Sequence, residues 1–162
     1  MKLIEMKVTG IYVDPRTNMP IVILKNPDEK KFLPIWIGPL EATSILLGLE
    51  NVTPARPLTH DLFVKFLEEN NIKIVKIVID DLKDNTYYAK IYYKTKLKTK
   101  IIDARPSDAI SLAIRVKAPL FVKDKVIEDT INSYKQKGES LQEYYKEFLE
   151  KIDKKDLGNV VM

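Results

Sequence analysis

The segment IIDARPSDAISLAIRVKAPLFV, from Ile101 to Val122, holds two different periods. A β-rich lead-in runs into Arg105-Pro106-Ser107-Asp108, apolar residues then recur at helical spacing, and Pro119-Leu120-Phe121-Val122 returns to strand chemistry. The spacing predicts a helix from about Pro106 to Lys117, with a short strand after it. That helix opens on an arginine, a hydroxyl and a carboxylate, an expensive set to place beside an apolar stripe. Almost the same letters recur in ARPLTHD, Ala55 to Asp61.

The rest of the chain alternates strands and helices irregularly. MKLIEMKVTGIYV reads as a first strand, since Glu5 and Lys7 interrupt its apolar run and no small-residue cleavage site follows. DPRTNMP and NPDEK are turns between this strand, IVILKN and KFLPIWIG, which suggests an antiparallel meander. Pro39 suits a first helical position, so PLEATSILLGLEN reads as a helix. Thr59 is a candidate N-cap for a second helix carrying Leu62, Phe63, Phe66 and Leu67 on one face. IKIVKIVIDDL, TYYAKIYYKT and KLKTKIID read as three further strands. The expected fold is α+β, with a largely antiparallel, partly mixed sheet packed with helices.

After about Thr130 the chain becomes charge-dense, yet Leu141, Tyr144, Tyr145, Phe148, Leu149 and Ile152 keep helical spacing, with Gly138 as a joint. We read residues 1–130 as the globular domain and 131–162 as an amphipathic helical appendage, which offers a contact to a protein partner. At 162 residues, 45% hydrophobic and 31% charged, the chain can bury a core of its own. It has no cysteine, which excludes disulfides and thiolate metal sites. No apolar run reaches membrane-spanning length, so a cytoplasmic location is the expectation.

A net charge of +4 is compatible with a polyanion partner. The charge is mostly lysine; Arg16, Arg56, Arg105 and Arg115 are the four arginines, and two of them stand in the twin corners. Each corner offers a hydroxyl (Thr59 or Ser107) and an acid (Asp61 or Asp108) at a helix start, where free N–H groups favour anions. Arg56 and Arg105 can pair with nearby carboxylates such as Asp103, or hold phosphate oxygens in a forked contact, with Ser107 beside them. In KIYYKTKLKTK, Lys90, Lys94, Lys96, Lys98 and Lys100 are all even-numbered, with Tyr92 among them. If strand pairing keeps that parity they form a ribbon for a phosphate backbone; the alternative is a solvated face that discourages aggregation. Trp36 reads as core or interface.

LPIWIGPLEATSI, RPLTHDLF, NTYYAKI and DARPSDAISLAIRVKAPLFV, in that order, resemble the bifunctional nuclease domain family over roughly residues 1–127. The resemblance implies an α+β domain, usually dimeric, with nuclease activity on DNA and RNA. Many relatives end in a UVR-type helical motif, which the tail here does not match. Nuclease chemistry needs an activated water and relief of phosphorane charge, commonly from divalent metals. The available acids are Glu41, Asp61, Asp103 and Asp108, and His60 is the only histidine. Asp61, Asp103 and Asp108 are candidate ligands for Mg2+ or Mn2+, and His60 a candidate proton carrier. No His-x-His or Asp-x-Asp signature is present, so a non-catalytic dimeric module binding nucleic acid or protein is the alternative.

Overall fold

Alternation along β1 (Leu3–Val13) buries Ile4 and Met6 on one face and leaves Glu5 and Lys7 on the other. The computed structural model describes residues 2–28 and 30–153, the side chains of 151–153 excepted. β1 pairs antiparallel with β2 (Pro20–Lys25), and β2 with β3 (Phe32–Trp36), so the meander is present. β4 (Lys73–Lys83), β5 (Thr86–Lys94) and β6 (Thr99–Ala104) form a second one.

The strand between Pro119 and the tail, β7 (Leu120–Lys123), joins the two halves. It lies antiparallel to β1 and parallel to β4, giving one seven-stranded mixed sheet in the order β3-β2-β1-β7-β4-β5-β6. Helices α1 (Pro39–Leu49), α3 (Pro106–Val116) and α4 (Asp124–Gln136) cover one face, burying Ile45, Ile110 and Ile127 against Ile77, Ile79 and Val22. The fold is α+β, as the alternation of periods implies. Among the described residues no helix is long and apolar enough to cross a membrane.

α2 (Thr59–Glu69) departs from the pattern of a core helix. Val64 and Leu67 pack against the core, but Leu62, Phe63 and Phe66 stay 59%, 44% and 58% exposed. Its apolar stripe therefore faces outward. α2 lies beside α3 rather than on the sheet, so only its narrow inner edge is covered.

α5 (Leu141–Asp153) carries the tail's stripe. Phe148 is 2% exposed against Ile21 and Ile23, and Tyr145 stacks on Phe32 at 4.1 Å between ring centroids. Residue 130 falls inside α4, and the side chain of Ile152 lies outside the described residues. Since α5 seals the second face of β2, Phe148→Ala should lower unfolding stability by about 3 kcal/mol. An unchanged urea midpoint would mean that α5 contributes nothing to the core.

Candidate active site

Pro106 lacks an N–H and holds a helical φ, so it opens α3 at the first helical position and makes Arg105 the N-cap. Ser107 is consequently not the cap. It lies 7% exposed in the first turn, and Asp108 follows it toward the helix's positive end. At α2 the cap is Leu58, one residue before Thr59. Leu58 is extended, and its N–H donates to Asp61 Oδ2 at 3.1 Å, so Asp61 reaches back to satisfy the corner.

The two corners meet. His60, second residue of α2, places Nε2 2.8 Å from Asp108 Oδ1. Its Nδ1 is 2.8 Å from Ser44 Oγ in α1, and Ser44 Oγ is 2.8 Å from Ser111 Oγ in α3. Arg115, one turn further along α3, donates from Nη1 to Ser111 Oγ at 2.6 Å and from Nε to Asp61 Oδ1 at 2.8 Å. At the other end Arg105 grips Asp108 through Nε at 2.8 Å and Nη2 at 3.2 Å, and Glu41 through Nη1 at 2.9 Å. One continuous polar chain thus links Asp61 to Glu41 across three helices.

Charge fixes the direction of this chain. An ionised Asp108 only accepts, so a neutral imidazole in this place carries its proton on Nε2 and presents a lone pair at Nδ1. Ser44 then donates to His60, Ser111 to Ser44, and Arg115 to Ser111. Burial pushes the Asp108 carboxyl up, but hydrogen bonds from Arg105 and His60 outweigh it and hold the pKa below the ordinary value. Burial likewise raises Asp61, and Arg115 with the Leu58 N–H reverses the shift. Glu41 is lowered by its own backbone N–H and by Arg105. His60 and Asp108 keep 19% and 32% of their side chains exposed, so the pair is reachable from solvent.

A glycine permits the approach of α1 and α3. A Cβ on Gly48 would stand 3.0 Å from Arg115 Nη1 and 3.2 Å from Ile114 Cγ2. Gly48→Ala should therefore push Arg115 off Ser111 and lower stability despite alanine's better helix propensity. A raised melting temperature would contradict this packing.

Ser44, Ser111 and Arg115 are site residues that the sequence reading misses. Their signal is a hydroxyl on an apolar helical stripe: Ser111 is 0% exposed between Ile110 and Leu112, where a buried hydroxyl requires a partner. Other expected residues lie apart. Arg56 is exposed in the α1–α2 loop, with no hydrogen bond or ion pair among the described residues, and so takes no part in the network. Asp103 is exposed on β6, opposite Lys90 in the ladder.

The lysines do not form a one-face ribbon. Lys94 pairs with Thr99 across the four-residue connection 95–98, and that even spacing sets even positions of β5 opposite odd ones of β6. Lys90, Tyr92 and Lys94 share a face with Asp103 and Ile101, whereas Lys100 lies on the other face, opposite Tyr93. Lys96 and Lys98 stand in the connection itself.

Among the described residues no three His, Asp or Glu side chains are grouped to hold a metal ion. Asp61 is turned to Arg115, Asp103 is remote on β6, and Arg105 bridges the Glu41 and Asp108 carboxylates where a cation would otherwise sit. The expected Asp61–Asp103–Asp108 set is thus not assembled within this chain, and these residues as placed do not fit Mg2+ or Mn2+.

Residues 22–134, which contain the whole polar chain, match the model of the bifunctional nuclease domain. The chain belongs to the bifunctional nuclease domain family. It is 37% identical over 123 residues to an uncharacterized protein of Mycobacterium tuberculosis, covering 76% of this chain and 73% of that protein. It is 26% identical over 109 residues to bifunctional nuclease 1 of Oryza sativa subsp. japonica, covering 65% of this chain and 33% of the rice protein. Bifunctional nuclease 1 of Arabidopsis thaliana is 24% identical over 107 residues, covering 64% of this chain and 33% of the plant protein. This chain therefore spans about a third of the length of the plant relatives.

Proposed function

We propose that this chain hydrolyses phosphodiester bonds of DNA, RNA or both at the junction of α2 and α3. The observation that carries the reading is the His60–Asp108 hydrogen bond at 2.8 Å, which ties the two corners into one site. Arg105 commits three donors to Asp108 and Glu41, leaving two of a guanidinium's five N–H bonds for a phosphate oxygen. His60 can take the Ser44 proton at Nδ1 while that hydroxyl receives one from an attacking water; as the water oxygen bonds to phosphorus the P–O bond to the leaving sugar oxygen breaks, and the imidazolium gives its proton back through Ser44 to that oxygen. Asp108 stabilises the imidazolium so formed, the logic of a hydroxyl–imidazole–carboxylate unit with the ring nitrogens exchanged.

The test compares Arg105→Ala with Arg56→Ala on end-labelled DNA and RNA, in buffer containing Mg2+. Arg105→Ala should reduce cleavage by about 100-fold or more, and Arg56→Ala should leave it near wild type. Equal rates for both variants and wild type would remove the network from catalysis.

Diffuse positive charge at the β5–β6 tip supports a role in holding the polyanion. Replacing Lys94, Lys96 and Lys98 by Gln should weaken binding and flatten its salt dependence. An unchanged salt slope would leave these lysines as solubilising residues only.

A second reading, a dimeric module that binds nucleic acid or protein, is favoured by the outward apolar stripe of α2. Leu62, Phe63 and Phe66 present an unbroken patch suited to a second copy. Light scattering over a wide dilution series should then give twice the chain mass, and Phe66→Lys should give a monomer. A monomer at every concentration would end this reading.

A further inference from the structure

Alternation along β5 puts Ala89 and Ile91 into the core and turns Tyr88, Lys90, Tyr92 and Lys94 to the opposite face of the sheet. α5 covers that face over β2 and β3, with Phe148 against Ile21 and Ile23 and Tyr145 against Phe32. Over β5 and β6 it opens to solvent, where Tyr88 and Ile101 stay 39% and 54% exposed.

The ladder registers carry the pattern across the sheet. Tyr92 stands opposite Lys76 on β4 and Ile101 on β6, and Lys90 opposite Val78 and Asp103. Val78 in turn neighbours Phe121 on β7, and Lys73 stands opposite Lys94. Lys76 Nζ lies 4.8 Å from the centre of the Tyr92 ring and 5.7 Å from that of Phe121, within reach of both. Lys83 Nζ lies 5.7 Å from the centre of the Tyr88 ring.

The charges on this face do not cancel. Asp80 is shared by Lys90 Nζ at 3.6 Å and Lys123 Nζ at 3.8 Å, and Asp81 takes Lys83 at 2.8 Å. On β1, Glu5 is offset by Lys7. Lys73, Lys76 and Lys94 make no ion pair among the described residues, and Asp103 is the one acid left to set against them. A face built only to stay soluble needs lysines, but not tyrosines alternating with them. Lysines and rings together make a single-strand binding surface: diffuse charge follows the phosphates, and each ring offers a plane to a base. Along β5 the two tyrosines are about 13 Å apart, at about 3.3 Å per residue, so one strand can meet both.

We infer that the open face of β4, β5 and β7 is a docking platform for single-stranded nucleic acid. Tyr88 and Tyr92 stack on bases, and Lys73, Lys76, Lys90 and Lys94 neutralise phosphates. As a base settles on Tyr92, the Lys76 ammonium moves from the ring to a phosphate. β6 is the edge strand, and Arg105 follows its last residue, Ala104. A strand leaving the platform therefore crosses β6 alone to reach the polar chain. A duplex keeps its bases stacked inside and can use only the lysines. Nucleic acid as the partner rests on the nuclease reading, so binding is measured apart from cleavage.

The full chain is titrated with a fluorescein-labelled, phosphorothioate-linked oligothymidylate read by anisotropy, and with a duplex of the same linkage. Tyr88→Leu and Tyr92→Leu keep apolar bulk and remove the ring. Each should weaken single-strand binding by about 10-fold and leave duplex binding unchanged. Replacing Lys73 and Lys76 together by Gln should make the slope of log affinity against log salt shallower by about 1.4 for the single strand. Lys146→Gln, on α5, should leave that slope alone. Irradiating the wild-type chain with an iodouracil-containing strand needs no variant, and its crosslinks should map to the β5 peptide. Single-strand affinity untouched by both tyrosine variants, or an equal loss for the duplex, would overturn the platform, as would crosslinks confined to other elements. No binding by a chain that still cleaves the ordinary strand would overturn it too and leave the nuclease reading standing. Binding with the expected losses and no cleavage would keep the platform and overturn the nuclease reading.

Discussion

Asp108→Asn is expected to lower phosphodiester cleavage by about 100- to 10,000-fold, with the fold retained. The substitution keeps the size of the side chain but removes the charge that orders the polar chain. The amide would offer Arg105 and His60 one acceptor oxygen in place of two, and its NH2 would face a donor. The Nε2–H tautomer then loses its fixed partner, and Nδ1 no longer presents a lone pair to Ser44. Activity should be compared at matched folded fraction, since Arg105 is also released. His60→Ala should fall by a similar factor, because it deletes the proton acceptor directly. Wild-type rates in both variants would move the chemistry elsewhere on the domain.

Arg115→Ala is expected to cost about 3 kcal/mol in urea unfolding, the largest single loss of stability in the network. The Arg115 side chain is 9% exposed, and its removal leaves Asp61 Oδ1 and Ser111 Oγ without the guanidinium that donates to both. Asp61 is 26% exposed and can recover some hydration, which keeps the loss at the lower end of the range for a broken buried pair. Arg115→Lys should not restore stability, since a point-like ammonium cannot serve Asp61 and Ser111 in a fork. The carboxyls of Asp61 and Asp108 titrate below their ordinary value of 3.8 in the folded chain. Their stabilisation is therefore complete above that value and disappears as pH falls through the lowered ones. Asp61→Asn should accordingly flatten the loss of stability on acidification below about pH 4. An acid limb as steep as wild type would show that Asp61 is not held by its partners.

Period and punctuation carry most of the fold. Pro39 and Pro106 mark helix starts to the residue, because a missing N–H and a fixed φ act locally. The placement of β7 between β1 and β4 is not legible, since four residues of apolar strand do not say which neighbours they join. In the site, His60, Asp108, Arg105 and Glu41 are recognisable as chemistry-bearing residues at helix starts. Their partners Ser44, Ser111 and Arg115 are not, because what joins them is the crossing of α1 over α3 at Gly48. Asp61 is legible by type but not by partner: sequence neighbours on a helix point about 100° apart, so His60 turns to Asp108 and Asp61 to Arg115. The lysine parity fails for a similarly small reason, the even length of one connection.

The α2 and α3 corners should act as one unit, which a double-mutant cycle on cleavage reads directly. Single-turnover rates would be measured for wild type, His60→Ala, Asp108→Asn and the double variant, each at matched folded fraction. Residues that work as a unit lose their contribution together, so the double variant should cleave no more slowly than the worse single one. Losses that multiply in the double variant, with His60 and Asp108 acting independently, would contradict the claim.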